Sequence, residues 1–133
     1  MNKFNGYIKE IQVNGDLSLI SIHVSEEINL QTIVIETPET ANYLGINNPV
    51  KILFKETEVI IGKGSNIPIS VPNKISGIIK KIKIGTLLSH VNIDTPIGEI
   101  SSIISTQSIN QLDLKTEDLV VAMVKLNEVM ISE

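Results

Sequence analysis

The stretch Gly6-Tyr7-Ile8-Lys9-Glu10-Ile11-Gln12-Val13 returns later as Gly77-Ile78-Ile79-Lys80-Lys81-Ile82-Lys83-Ile84. Glycine, lysine and the apolar positions coincide at a constant offset. A second match joins Lys55-Glu56-Thr57-Glu58-Val59-Ile60-Ile61 to Lys125-Leu126-Asn127-Glu128-Val129-Met130-Ile131. Between them, Thr37-Pro38-Glu39-Thr40 with Leu44 aligns with Ser105-Thr106-Gln107-Ser108 with Leu112. Matches that keep their order along a chain are the mark of a duplication. The reading divides the chain into a first module over 1–63, a linker over 64–73 and a second module over 74–133. The linker carries Gly62, Gly64, Pro68 and Pro72 in or beside it. Its Ile67, Ile69 and Val71 predict a short strand that packs back. Modules this small bury little surface alone, so the two are expected to share an interface and to oligomerise.

Within each copy the alternation is that of strands. Ile20, Ile22 and Val24 face one way while Ser21 and His23 face the other. Asn14-Gly15-Asp16 is a hairpin signal. Strands are expected near Phe4–Val13, Ser18–Val24, Leu30–Glu36, Val50–Phe54 and Glu58–Ile61. In the second copy they fall near Lys74–Ile84, Leu88–Thr95, Glu99–Ile104, Leu119–Leu126 and Glu128–Ser132. Glu26-Glu27 reads as a solvated turn. A short helix is expected at Pro38–Leu44 after Thr37, with Pro38 in the first helical position and Gly45 as the stop. Its counterpart is Thr106–Leu112, capped by Ser105. Strand, strand, strand, helix, strand, strand describes a mainly all-β chain of two tandem OB-like five-stranded barrels, each with one short helix at its end.

Composition bounds the function. The 133 residues contain no cysteine and no tryptophan, and the net charge is −4. Thiol catalysis, disulfides and thiolate zinc sites are therefore out of reach. An acidic chain with 3% aromatic residues lacks the footprint of a nucleic-acid binder. No apolar run approaches the ~20 residues that span a bilayer, and the N-terminal residues show no secretory signal, so a cytoplasmic protein is expected.

Catalytic motifs are wanting: His23 and His90 stand alone and read as strand residues, and no metal-ligand spacing or phosphate loop occurs. The chain reads as a binder, not an enzyme. What recurs is a hydroxyl at the expected helix start, a second hydroxyl three residues on, and a lysine after the next strand: Thr37, Thr40 and Lys55, then Ser105, Ser108 and Lys125. Free N–H groups, hydroxyls and one mobile cation suit a tetrahedral dianion held by hydrogen bonds rather than by a metal. The same residues also serve as plain N-caps and solvated strand ends.

The run from Ile100 to Ser108, then Leu112-Asp113-Leu114, then Val120 to Ile131 resembles the Mop domain, the molbindin or molybdate-type TOBE family; the first copy resembles it more loosely. The resemblance implies a tandem di-Mop protein whose ligand is molybdate or tungstate, bound at inter-module sites for intracellular storage and homeostasis. It implies oxyanion-binding roles for Thr37, Thr40, Lys55, Ser105, Ser108 and Lys125. Ser70-Val71-Pro72-Asn73 stands where the family carries a Ser-Ala-Arg-Asn stretch, adding Ser70, Val71 and Asn73 to the expected site. Pro72 replaces the arginine and removes a charge and an amide donor; before the first copy only Asn2 aligns with that motif. The resemblance further implies a homotrimer, with no membrane or nucleic-acid partner. The competing reading is a Mop-fold interaction or sensor module whose oxyanion binding is weakened or lost. No helix-turn-helix or ATPase pattern is read among the 133 residues, so a full molybdate-responsive repressor or transporter ATPase is not expected.

Overall fold

The computed structural model describes residues 1–25 and 27–133. The turn expected at Glu26-Glu27 lies partly outside them. The first copy supplies β1 (Asn2–Asn14), β2 (Leu17–Ser25), β3 (Ile28–Val34), β4 (Pro49–Phe54) and β5 (Ile60–Lys63). The second supplies β6 (Asn73–Lys83), β7 (Leu88–Thr95), β8 (Gly98–Ser105), helix α1 (Thr106–Leu112), β9 (Leu119–Val124) and β10 (Met130–Ser132). Ile, Val and Leu at alternate positions give these strands their buried faces, with Ile8, Ile20, Ile22, Ile52, Ile79, Val91, Ile93, Ile100 and Val120 fully enclosed.

Each sheet has five antiparallel strands, and the last strand of each copy belongs to the other copy's sheet. One sheet runs β10-β4-β1-β2-β3 and the other β5-β9-β6-β7-β8. Met130, Ile131 and Ser132 pair with Leu53, Ile52 and Lys51, while Ile60 to Lys63 pair with Met123 to Val120. The exchange fuses the two halves around one continuous apolar core. The shared interface expected from the size of the modules is present.

The duplication extends to irregularities. The β1–β2 ladder shifts register between Ile8 and Glu10, and the β6–β7 ladder between Ile79 and Lys81. Gly6 and Gly77 lie where a Cβ would come within 2.6 Å of the His23 and Asp94 carbonyl oxygens, respectively. Asn47 and Glu117 both adopt positive φ, 71° and 75°, and their N–H groups bond the carbonyls of Ile8 and Ile79.

Two expected elements take other forms. Residues 38–44 make consecutive turns instead of a helix, closed by bonds from Thr40 and Ala41 N–H to the Thr37 carbonyl. The two copies differ here in what the exchanged strand brings. Lys63, at the end of β5, donates to the Leu112 and Asp113 carbonyls at 2.9 Å each, capping the C-terminus of α1. By the pairing register its counterpart after β10 is Glu133, which has no donor to offer. The linker, too, forms no strand. Val71 and Ile67 nevertheless pack against Val121 and Met123 on the back of β9, while Ile69 is exposed. The last strand of each copy starts later than its apolar run, because Glu56–Glu58 and Leu126–Glu128 form 3-10 turns first.

Candidate functional site

The hydroxyl pair of the second module is built by the helix start. Ser105 leaves β8 in an extended conformation, φ −65° and ψ 145°, and caps α1. Its Oγ accepts from the Ser108 N–H at 3.0 Å and donates to the Ser108 Oγ at 2.8 Å. Because Ser105 Oγ is the donor in that pair, the Ser108 hydroxyl keeps its own proton for another acceptor. Beneath it a second chain of hydroxyls fixes the turn before β7. Thr106 Oγ1 donates to the Gly85 carbonyl at 2.8 Å, and Ser89 Oγ, 1% exposed, lies 2.8 Å from Thr106 Oγ1. The helix start is thus tied to the neighbouring hairpin and held rigid.

The first module arranges its hydroxyls differently. Thr40 Oγ1 accepts from Thr37 N–H at 2.8 Å and donates to the Thr37 carbonyl at 3.2 Å, so its proton is used within its own turn. The ladders also shift the correspondence between copies. Val34 pairs with Ser18 as Ile104 pairs with Ser89. The residue that follows in the first copy is therefore Ile35, 76% exposed, where the second has Ser105. Thr37 comes two places later, a displacement that an alignment of hydroxyls alone does not register.

Lys55 and Lys125 occupy equivalent places, each opening a 3-10 turn from extended backbone. Both are exposed, and neither makes an ion pair or side-chain hydrogen bond among the described residues. Glu56, beside Lys55, pairs instead with the Met1 ammonium, whose hydrogen bond holds the Glu56 carboxyl below the usual carboxylate range. The turn after Lys55 packs on β8 and the turn after Lys125 on β3, so each lysine is placed against the opposite module. No hydrogen bond joins either lysine to Thr37, Thr40, Ser105 or Ser108 among the described residues.

Ser70 is exposed on the linker and Val71 is buried against β9. Asn73 is 2% exposed and points across to the first module. Its Nδ2 donates to the Gln31 carbonyl at 2.8 Å and its Oδ1 accepts from Gln31 N–H at 2.7 Å. Asn2 repeats this on Ser101, at 2.9 and 2.8 Å. Thr32 and Ser102 complete the pattern, donating to the Val129 and Val59 carbonyls. Sequence reasoning assigned Asn73 to a ligand and did not single out Gln31, Thr32 or Ser102. Their signal was present only as equivalence between copies. No cluster of His, Asp or Glu able to hold a metal occurs among the described residues, and no helix is long and apolar enough to cross a membrane.

Residues 69–131 match the TOBE domain family. The matched stretch is the second copy of the repeat with the last residues of the linker. The whole fold superposes on ModG, a cytoplasmic molybdate-binding protein crystallised with molybdate bound, with a TM-score of 0.90 at 22% identity, over 98% of this chain and 94% of that one. This likeness establishes the OB-like, mainly all-β architecture. MopII from Clostridium pasteurianum, in an apo form, aligns with 33% identity over 50% of this chain and all of its own, with a TM-score of 0.48. No curated protein sequence matches the chain. TOBE-domain proteins of this kind bind ligands and are not enzymes. The ordered Ser105–Ser108 pair lies within the matched residues.

Proposed function

We propose that this protein binds molybdate or tungstate as a cytoplasmic store, the first module being a second, diverged Mop-type domain and the chain a homotrimer. The Ser105–Ser108 hydroxyl chain, capping a helix inside a TOBE domain, is the observation that carries the reading. The anion is held by hydrogen bonds from Ser108, the neighbouring N–H groups and Lys125, with no metal coordination. A site of donors favours an anion without a proton; molybdate and tungstate are such anions at neutral pH, whereas phosphate retains one. Local donors outweigh the distant net charge of −4.

The two modules are unequal in this reading. Thr37, Thr40 and Lys55 are the first module's set, with Ile35 in place of the capping serine. Ser70, Val71 and Asn73 add backbone and packing at the module boundary, and Pro72 supplies no charge. The competing role, an interaction or sensor module with weakened oxyanion binding, draws support from Pro72 and from the engaged Asn73 amide. Calorimetric titration with molybdate and tungstate, with sulfate and phosphate as controls, separates the two. Micromolar binding that Lys125→Ala or Ser108→Ala weakens at least tenfold supports storage. A folded oligomer that takes up neither metal oxyanion overturns it.

A further inference from the structure

The outer faces of the two N-terminal hairpins occupy equivalent places but carry opposite charge in the two rows nearest the turn. In the first module, Gln12 pairs with Leu19 and Leu19 with Ile33, and the neighbouring row begins at Glu10 opposite Ser21. In the second, Lys83 pairs with His90 and His90 with Ile103, and the neighbouring row begins at Lys81 opposite Asn92. Glu10 thus corresponds to Lys81, Gln12 to Lys83 and Leu19 to His90. Both faces end in exposed apolar side chains. Leu17 is 41% and Ile35 76% exposed on the first; Leu88 is 60% exposed on the second. Each face is concave, with a pocket of about 460 Å³ at Leu17, Leu19 and Ile33 and one of about 350 Å³ at Leu88, His90 and Ile103. Asp16 adds a second carboxylate at the turn of the first face. Lys9 and Lys80 sit at the register shift in both modules; Lys80 pairs with Glu99, which with Asp94 forms the next row of the second face, away from the turn.

We infer that the two faces are made for each other: the first-module hairpin of one copy docks on the second-module hairpin of the next. Exposed apolar patches of this kind mark contacts between chains. The charges decide which contact. A second-module face set turn end to turn end against its own kind would bring Lys81 and Lys83 against Lys81 and Lys83, and neither lysine has an ion-pair partner among the described residues. Set against the first-module face, they meet Glu10 and Asp16. Like-charge juxtaposition suppresses the first arrangement and opposite charge favours the second. Such a contact is heterologous, and heterologous contacts close into rings when the rotation allows. The inference rests on the homo-oligomer reading above and assigns its surface.

The test is a charge swap, read by sedimentation velocity on the full chain without added anion. Glu10→Lys with Asp16→Lys, and separately Lys81→Glu with Lys83→Glu, are each expected to weaken association by about tenfold or more. All four changes together are expected to restore the wild-type mass, three times the 14.6 kDa chain. The restoration also excludes misfolding as the cause of dissociation. A wild-type oligomer that neither reversed pair disturbs, or that the fourfold swap does not restore, overturns the assignment alone. A monomeric wild-type protein overturns the homo-oligomer reading with it.

Discussion

The side-chain amide of Asn73 hydrogen-bonds both the N–H and the carbonyl of Gln31, at 2.7 and 2.8 Å, imitating one rung of a ladder between strands of different modules. Asn2 does the same on Ser101. Both amides are buried, so cutting either leaves unpaired backbone groups away from water. Asn73→Ala and Asn2→Ala should each lower unfolding free energy by about 2 kcal/mol, and the loss should be similar because the sites are equivalent. Urea titration followed by circular dichroism checks this. An Asn73→Ala protein of unchanged stability would mean that the clamp is dispensable.

Glu117 holds φ at 75° where its counterpart Asn47 holds 71°. A left-handed backbone costs an ordinary L residue about 1 kcal/mol, and asparagine or glycine less. Glu117→Gly is expected to raise stability by a few tenths to about 1 kcal/mol, and the melting temperature with it, whereas Asn47→Ala lowers both. Calorimetric melts of the two variants decide the matter by their sign.

Lys63 caps α1 from the exchanged strand. Replacing it with methionine keeps the stem and removes the donor. The expected cost is modest, about 0.5–1 kcal/mol, because the side chain is partly solvated. The local effect is larger than the global one: amide exchange of the last turn of α1 should accelerate in Lys63→Met while β6 and β7 stay protected.

Burial and the hydrogen bond to Glu36 push the Tyr43 phenol up to about 12 from 10.0. A folded-state value above the unfolded one means that the neutral phenol is the form folding favours. That contribution is complete below pH 10 and drains away as pH rises toward 12. Tyr43→Phe should therefore flatten the fall in stability across that window. Stability profiles of both proteins that fall in parallel there would show that the phenol does not contribute.

Much of this architecture was legible from local pattern. The Gly6 and Gly77 repeats marked where strands must cross another backbone closely, and Ser105 marked the start of α1, since capping chemistry is written within four residues. The segment after Thr37 carried a similar signal and formed turns instead. Two differences separate them: the ladders put Ile35, not a hydroxyl, at the place of Ser105, and Lys63 caps the second segment through the exchanged strand where the first has Glu133. The exchange itself left no local trace: Ile60-Ile61 and Met130-Ile131 are near copies, and a ladder accepts either. The same long-range pairing hid the work of Asn73, which by motif alone reads as a ligand.

The crossing of β5 and β10 has a consequence for how the chain comes into being. As it emerges from the ribosome, residues 60–63 are made well before their pairing strand at 119–124, and the first half's sheet waits for residues 130–132. Neither copy supplies all five strands of its own sheet. A gene fragment for one half would yield a sheet lacking an edge strand, so once the exchange was established the two copies were bound to be inherited, and to diverge, as one unit.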